Sequence, residues 1–240
     1  MQLKKASRIS RNGKSKSEEQ ITQRVRRMID IPALQSHEMC VTISGDRPLM
    51  VNNKMNVAED IAKTYGGPGG KASATKMVKA TDDEAYSRAF YVMPSSKAKP
   101  PSPKALYGVP ASGLKKCFDK AIRTTGITDN TTIGQIGRSF FVLEDEAGLC
   151  LIKFKRLERD IRAVNIGSGQ KTVPSMRHRP MFHGWSIDLR IKMNPLMITP
   201  EAIINLINHA GQYIGICEMR AEKKQGQCGG FYVSGVKSKS

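Results

Sequence analysis

Four histidines are the residues of this sequence best suited to proton transfer, because imidazole titrates near neutral pH. They are His37, His178, His183 and His209. His178 and His183 flank Pro180 in a basic stretch, where we favour phosphate contacts over general acid–base catalysis. His209 falls on the polar stripe of a predicted helix, and His37 has no partner that the sequence identifies. A catalytic role for these histidines therefore stands only as an alternative.

Motifs for metal or nucleotide binding are incomplete. His37-x-x-Cys40 and the His178/His183 pair fall short of a four-ligand metal site, and no carboxylate cluster indicates a two-metal nuclease. The glycine-rich stretch GGPGGKA (66–72) resembles a P-loop, but Tyr65 replaces its first glycine and Ala72 its Ser or Thr. The sequence therefore predicts no cofactor and no metal.

Basic side chains dominate the composition. The chain has 39 Lys and Arg against 21 Asp and Glu, a formal net charge of +18. Such an excess predicts a polyanionic partner, with nucleic acid favoured over an anionic membrane surface. No apolar run approaches the roughly 20 residues of a spanning helix, and the basic N-terminus lacks the apolar segment of a secretory signal. Five cysteines without a CxxC pair indicate a reduced, cytoplasmic protein.

Residues 153–179 form a basic segment with eight Lys or Arg and two acidic residues. Such a segment is either a solvated excursion or a binding arm, and we favour the arm. Arg156, Arg159 and Arg162 recur every three residues and would form one basic edge on a short helical turn. The candidate nucleic-acid contacts in this segment are Lys153, Lys155, Arg156, Arg159, Arg162, Lys171, Arg177, His178 and Arg179.

The stretch WSIDLRIKM (185–193) alternates apolar and polar residues, which predicts a strand with one buried face. Arg190 and Lys192 share its polar face, about 6.5–7 Å apart, so they could contact adjacent phosphates. A glycine-rich loop at 221–230 adds Lys223 and Lys224 as candidate contacts. Among the aromatic residues, Trp185 is in phase with the core, whereas Tyr232 is the better candidate to stack on a base.

The coarse element order is α+β. Strands are predicted at 39–45, 139–143, 149–154, 185–193, 213–220 and 231–233, with 144–148 joining the second and third as a hairpin. Helices are predicted at 52–64, 111–124 and 200–210, the last beginning with Thr199 as cap and Pro200 at the first position. A short strand is predicted within 85–93.

We expect a basic mobile arm at 1–36 and a short tail at 237–240. Between them, residues 37–236 form a single domain with insertions at about 52–107 and 155–182.

Four stretches carry a resemblance to the RAMP superfamily, in particular to the backbone subunits of CRISPR effector complexes and their phage-encoded relatives. They are VTISGDRPLMVN (41–52), YGVPASGLKKCF (107–118), RHRPMFHGWSIDLRIKMNP (177–195) and ITPEAIINLINHAGQYIGICEMRAEKKQGQCGGFYV (198–233). The chain is shorter than those subunits, and its loop GQCGG is looser than their glycine-rich loop. The resemblance implies a ferredoxin-like or RNA-recognition-type antiparallel sheet with helices on one face and long insertions.

The resemblance also implies that the basic excursion and the exposed sheet hold single-stranded nucleic acid. We therefore predict a non-catalytic protein that binds RNA or single-stranded DNA through phosphate contacts and forms a homo-oligomer or filament along the strand, with no membrane partner. One alternative is a metal-independent RAMP-type RNA endonuclease, and another is a structural or assembly protein. A phage-encoded member would act in the host cytoplasm.

Overall fold

A computed structural model describes residues 33–53, 81–166, 173–223 and 226–238. In these ranges the chain is α+β with antiparallel sheets, as predicted. The strands are β1 (His37–Gly45), β2 (Leu49–Met50), β3 (Tyr107–Pro110), β4 (Phe140–Leu143), β5 (Leu149–Lys153), β6 (Arg156–Ile166), β7 (Val173–His183), β8 (Ser186–Met193) and β9 (Phe231–Ser238). The α-helices are α1 (Asp82–Arg88), α2 (Ala111–Ala121), α3 (Asn130–Arg138) and α4 (Pro200–His209).

The main sheet has the strand order of a ferredoxin-like fold. β1 lies between β9 and β8, and both pairs are antiparallel. β4 and β5 each pair with the other edge of β8, and β3 extends the sheet beyond β5. Since α2 lies between β1 and β4 in the chain, and α4 between β8 and β9, two strand–helix–strand units interlock around the central pair.

The core lies between one face of this sheet and the helices α2 and α4. Every second residue is buried from Trp185, just before β8, to Met193 at its end, as the alternation predicts. The Trp185 indole Nε1 donates a hydrogen bond to the Arg47 carbonyl at 2.8 Å, which satisfies its one polar atom. α4 begins as predicted, because the Thr199 hydroxyl accepts from the Ala202 backbone N–H.

The basic segment forms a long hairpin instead of a helical turn. β6 and β7 pair over eleven residues each, from Arg156 opposite His183 to Ile166 opposite Val173, and β2 joins β7 on its other side. Successive side chains of a strand point to opposite faces. The prediction that Arg156, Arg159 and Arg162 form one edge is therefore wrong, because Arg159 lies on the face opposite the other two.

Three other local predictions are corrected. The short strand expected in 85–93 does not form, because residues up to Arg88 belong to helix α1, which begins with a capping box between Thr81 and Glu84, and Val92 makes only an isolated bridge to Tyr107. The strand expected at 213–220 is absent. Instead, a π-helical turn, Ala210–Ile214, continues α4, and a Cβ on Gly211 would lie 1.8 Å from the Phe231 carbonyl oxygen. β4 and β5 do not pair as a hairpin, since both lie against β8.

Some expectations fall outside the described residues. They are residues 1–32 of the arm expected at 1–36 and residues 54–64 of the helix expected at 52–64. The strand β9 runs to Ser238, so the first residues of the expected tail belong to the sheet. No helix in the described ranges is both long and apolar enough to cross a membrane.

Candidate nucleic-acid interface

The second face of the main sheet turns away from the helices, and we call it the open face. It is formed by the residues of each strand that alternate with the buried ones, which puts polar and basic side chains in rows across the strands. Its members are Glu38, Cys40, Thr42, Ser44, Phe141, Leu143, Leu151, Lys153, Ser186, Asp188, Arg190, Lys192, Tyr232, Ser234 and Lys237.

A hydrogen-bonded group lies at the centre of the open face. Asp188 accepts from the Thr42 hydroxyl through Oδ1 and from the Lys153 ammonium through Oδ2, both at 2.7 Å. The bonds from Lys153 and Thr42 hold the pKa of Asp188 below its usual range, and Asp188 raises the pKa of Lys153. Both side chains are thus held charged and in fixed positions, and part of the Lys153 charge is neutralised.

Arg190 and Lys192 share the open face, as the sequence predicts, but they differ in availability. The Arg190 guanidinium donates to the Glu144 carbonyl and lies 3.7 Å from an Asp145 carboxylate oxygen. Lys192 is exposed and forms no ion pair with any residue that the structure describes. Of this pair, Lys192 is therefore the cation more readily available to a ligand.

Lys237 is a basic residue of the open face that the sequence analysis missed. It lies opposite Cys40 on β9, and Cys40 in turn lies opposite Arg190 on β8, so the three residues form one row across the sheet. Lys237 is exposed and close enough to Asp188 to contribute to its lowered pKa. The alternation of FYVSGVKS continues the strand pattern only weakly, because Ser and Gly interrupt it.

Exposed aromatic side chains lie on the open face on either side of the central strands β1 and β8. Tyr232 on β9 is 51% exposed while Phe231 beside it is buried, which is the placement predicted for a stacking residue. Phe141 on β4 is 58% exposed and lies opposite Lys192 on β8. The sequence FFVL is apolar throughout, so periodicity could not show which phenylalanine faces solvent.

The hairpin brings a second group of cations together on one face. Arg162 lies directly opposite Arg177, and Arg156 lies further along the same face. Arg162 pairs with Asp160 at 2.8 Å and Arg156 with Glu158 at 3.0 Å, and both arginines are largely exposed. Arg177 is partly exposed and forms no ion pair within the described ranges, so this face carries excess positive charge.

Arg159, His178 and Arg179 are predicted contacts that the structure uses for packing. Arg159 binds Asp83 at 2.6 Å, donates to His178 Nδ1 at 3.1 Å and covers the Tyr86 ring at 4.7 Å, which fixes α1 to the hairpin. His178 and Arg179 have side chains only 6% and 4% exposed. His178 and Arg179 therefore belong to the interior of the fold, whereas Arg159 is partly exposed but engaged by Asp83 and His178, and all three are corrected as candidate contacts.

The remaining predicted contacts lie in separate places. Lys155 is exposed just before β6, and Lys223 is exposed in the loop that follows the π-helical turn. Lys171 and Lys224 lie outside the described residues.

The geometry does not assemble the histidines into a pair. His178 and His183 are five residues apart on β7 and so face opposite sides of the hairpin. His183 Nε2 lies 3.0 Å from a Glu158 carboxylate oxygen without hydrogen-bond geometry. His209, at the end of α4, lies beside Thr124. Within the described ranges, no three His, Cys, Asp or Glu side chains are grouped to hold a metal ion.

Comparison with known proteins gives a fold-level likeness of low strength. No family model and no curated protein matches the chain. Among solved structures, it is similar to a cryo-EM structure of the type III-B Cmr-beta bound to cognate target RNA, with a TM-score of 0.43 and 9% identity. The match covers 92% of this chain and 64% of that one, so the chain spans less than two thirds of its length.

Proposed function

We propose that this chain is a non-catalytic protein that binds single-stranded nucleic acid, RNA or DNA, through its phosphate backbone and oligomerises along the strand. The observation that carries the proposal is the open face, a solvated antiparallel sheet with exposed cations between exposed aromatic side chains.

The charge of this face suits a polyanion. Its strands carry four cations, Lys153, Arg190, Lys192 and Lys237, against two carboxylates, and of these cations Lys192 and Lys237 form no ion pair in the described ranges. Lys192 and Lys237 lie on the two strands that flank β1, so an extended backbone that crosses the sheet could meet both. Each contact of this kind neutralises a phosphate and releases a counterion.

The aromatic residues suit unpaired bases. Tyr232 and Phe141 lie on the edge strand β9 and on β4, on either side of the central strand pair. Their exposed rings can stack on bases whatever the sequence, which is how single strands are held on open sheets. Duplex bases are not available for such stacking, so this arrangement favours single strands.

The hairpin supports both strand binding and oligomerisation. Its arginine face offers further phosphate contacts at Arg162 and Arg177. Its other face exposes Ile161 and Met176, each more than half exposed, beyond the part that packs on α1. An exposed apolar pair of this kind is suited to contact a neighbouring copy on the same strand.

Binding is favoured over cleavage because of the histidines. The endonuclease alternative needs His178 and His183 near one phosphate, but the first is buried under Arg159 and the second faces the opposite side.

The test is to purify the chain, measure the absorbance at 260 nm, and incubate it with labelled RNA. Nucleic acid that co-purifies and is removed by nuclease supports binding, whereas RNA cut by wild type but not by His183→Ala would establish the endonuclease instead.

A further inference from the structure

A groove on the open face differs in character from the rest of that surface. It has a volume of about 460 Å³ and lies between the sheet, the segment after α1 and the turn at 144–148. Met93, Leu106 and Leu151 form apolar walls, and Lys153, Asp188 and Arg190 supply charged groups. Apolar walls with a few fixed polar groups are the usual construction of a small-molecule or base pocket.

The charge of the groove disfavours phosphate as its occupant. Two cations, Lys153 and Arg190, face three carboxylates, those of Asp145, Glu146 and Asp188. Both cations are already engaged, Lys153 with Asp188 and Arg190 with Glu144 and Asp145. The groove is therefore slightly acidic inside a strongly basic protein, so a neutral ligand with hydrogen-bonding groups fits it better than an anion.

Asp188 and Lys153 present an acceptor beside a donor at a fixed position. The Asp188 carboxylate has two oxygens with about four acceptor sites, of which Thr42 and Lys153 occupy two. Lys153 has three N–H donors and uses one of them on Asp188. A ligand in the groove can thus donate two hydrogen bonds to Asp188 and accept one from Lys153.

We propose that this groove is a nucleobase pocket that takes a guanine of the bound strand. Guanine is the common base whose pairing edge carries two adjacent donors, the N1–H and the N2 amino group, beside the O6 acceptor. Its donors match Asp188, its O6 matches Lys153, and its ring faces match the apolar walls. The proposal rests on the proposed function for the source of the base, but recognition of the base needs no phosphate.

Neutral nucleosides test the pocket without any phosphate contact. Guanosine, inosine and adenosine are titrated into the wild-type protein and followed by ligand-observed NMR. We expect guanosine to bind at least about fivefold more tightly than adenosine, with inosine between them because it lacks the N2 amino group. Equal binding of guanosine and adenosine, or binding of neither, would overturn the pocket.

Two variants and a matched control locate the effect. Asp188→Asn should abolish the preference for guanosine. Cys40→Leu should weaken the binding of all three nucleosides, because the larger side chain fills part of the groove without a change of charge. Glu38→Gln removes a carboxylate from the same face outside the groove and should leave the preference intact. If Asp188→Asn unfolds, Cys40→Leu decides, and undiminished guanosine binding by that variant contradicts the proposal.

The two proposals fail in different ways. The guanine preference is measured by comparing an oligonucleotide of eight uridines with one in which a single uridine is replaced by guanosine. Salt-dependent binding of both without any preference would exclude the pocket and leave the proposed function. If the protein binds guanosine but no single-stranded nucleic acid, the proposed function is excluded and the pocket remains.

Discussion

Arg179 and Asp160 form an ion pair inside the base of the β6–β7 hairpin, with Arg179 Nη2 3.2 Å from Asp160 Oδ2. Both side chains are more than nine-tenths buried, and Arg179 Nη1 also lies 3.8 Å from Glu218 in the loop against which this face packs. The ion pair therefore joins the two strands of the hairpin, and the contact with Glu218 joins Arg179 to the loop outside it.

Arg179→Ala should destabilise the fold by roughly 1–3 kcal/mol, because the buried Asp160 carboxylate loses the hydrogen bond from Arg179 and keeps only the one from Arg162. The measurement is chemical unfolding followed by circular dichroism. Arg177→Ala is the matched control, since it removes the same charge two residues away on the same strand face. Equal losses of stability for the two variants would show that the burial of Arg179 has no energetic role.

Replacement of Arg162 and Arg177 by alanine should weaken single-strand binding at a modest cost in stability, because neither side chain is buried and Asp160 keeps Arg179 as its buried partner. The salt slope of the binding constant should fall by about 1.4, as expected for two phosphate contacts on a single strand. Fluorescence anisotropy with a labelled oligonucleotide measures both quantities. The control is the double variant Lys116→Ala and Arg123→Ala. Lys116 lies on α2 and Arg123 just after it, so this variant removes the same charge from the helical side of the sheet and should leave the salt slope unchanged.

Lys192→Ala should account for most of the loss seen when Arg190 and Lys192 are both replaced. The reason is that Arg190 already pairs with Asp145 and Glu144, whereas Lys192 has no acidic partner in the described ranges. Neither loss should depend on base sequence, because phosphate contacts carry no sequence information. A larger loss from Arg190→Ala than from Lys192→Ala would show that the turn releases Arg190 on binding.

Tyr232→Ala should weaken binding by about 1–3 kcal/mol if the ring stacks on a base, and Tyr232→Phe should bind like wild type. Tyr213→Ala is the control, because Tyr213 is similarly exposed on the π-helical turn. Competition binding with a poly-uridine oligonucleotide measures the differences. Tight binding by Tyr232→Ala would exclude stacking at this edge of the sheet.

The main sheet could be predicted because its central strand carries an unbroken signal. The alternation from Trp185 to Met193 fixes which residues are buried, and with it places Arg190 and Lys192 on the same exposed face. α4 could be predicted from Thr199 and Pro200 for a similarly local reason. α1 had a usable signal too, since Thr81 and Glu84 form a capping box, but the apolar residues 89–93 that follow the helix resemble a strand.

The sequence pattern could not predict the hairpin, nor which basic side chains are left unpaired by the rest of the fold. Arg159 occupies a regular position in the sequence, yet its partners Asp83 and His178 come from distant parts of the chain. Arg190 is engaged by Asp145 for the same reason. Sequence shows which residues carry charge, but only tertiary contacts show which of those charges are already paired.

The salt dependence of single-strand binding tests the central claim most directly. A labelled 20-nucleotide single strand is titrated with the protein between about 50 and 300 mM salt, beside an oligonucleotide of the same sequence with an uncharged backbone. Contacts from Lys192, Lys237, Arg162 and Arg177 predict a slope of about −2.8 or steeper for the charged strand and little binding of the uncharged one. A slope near zero, or equal binding of the two, would contradict the account.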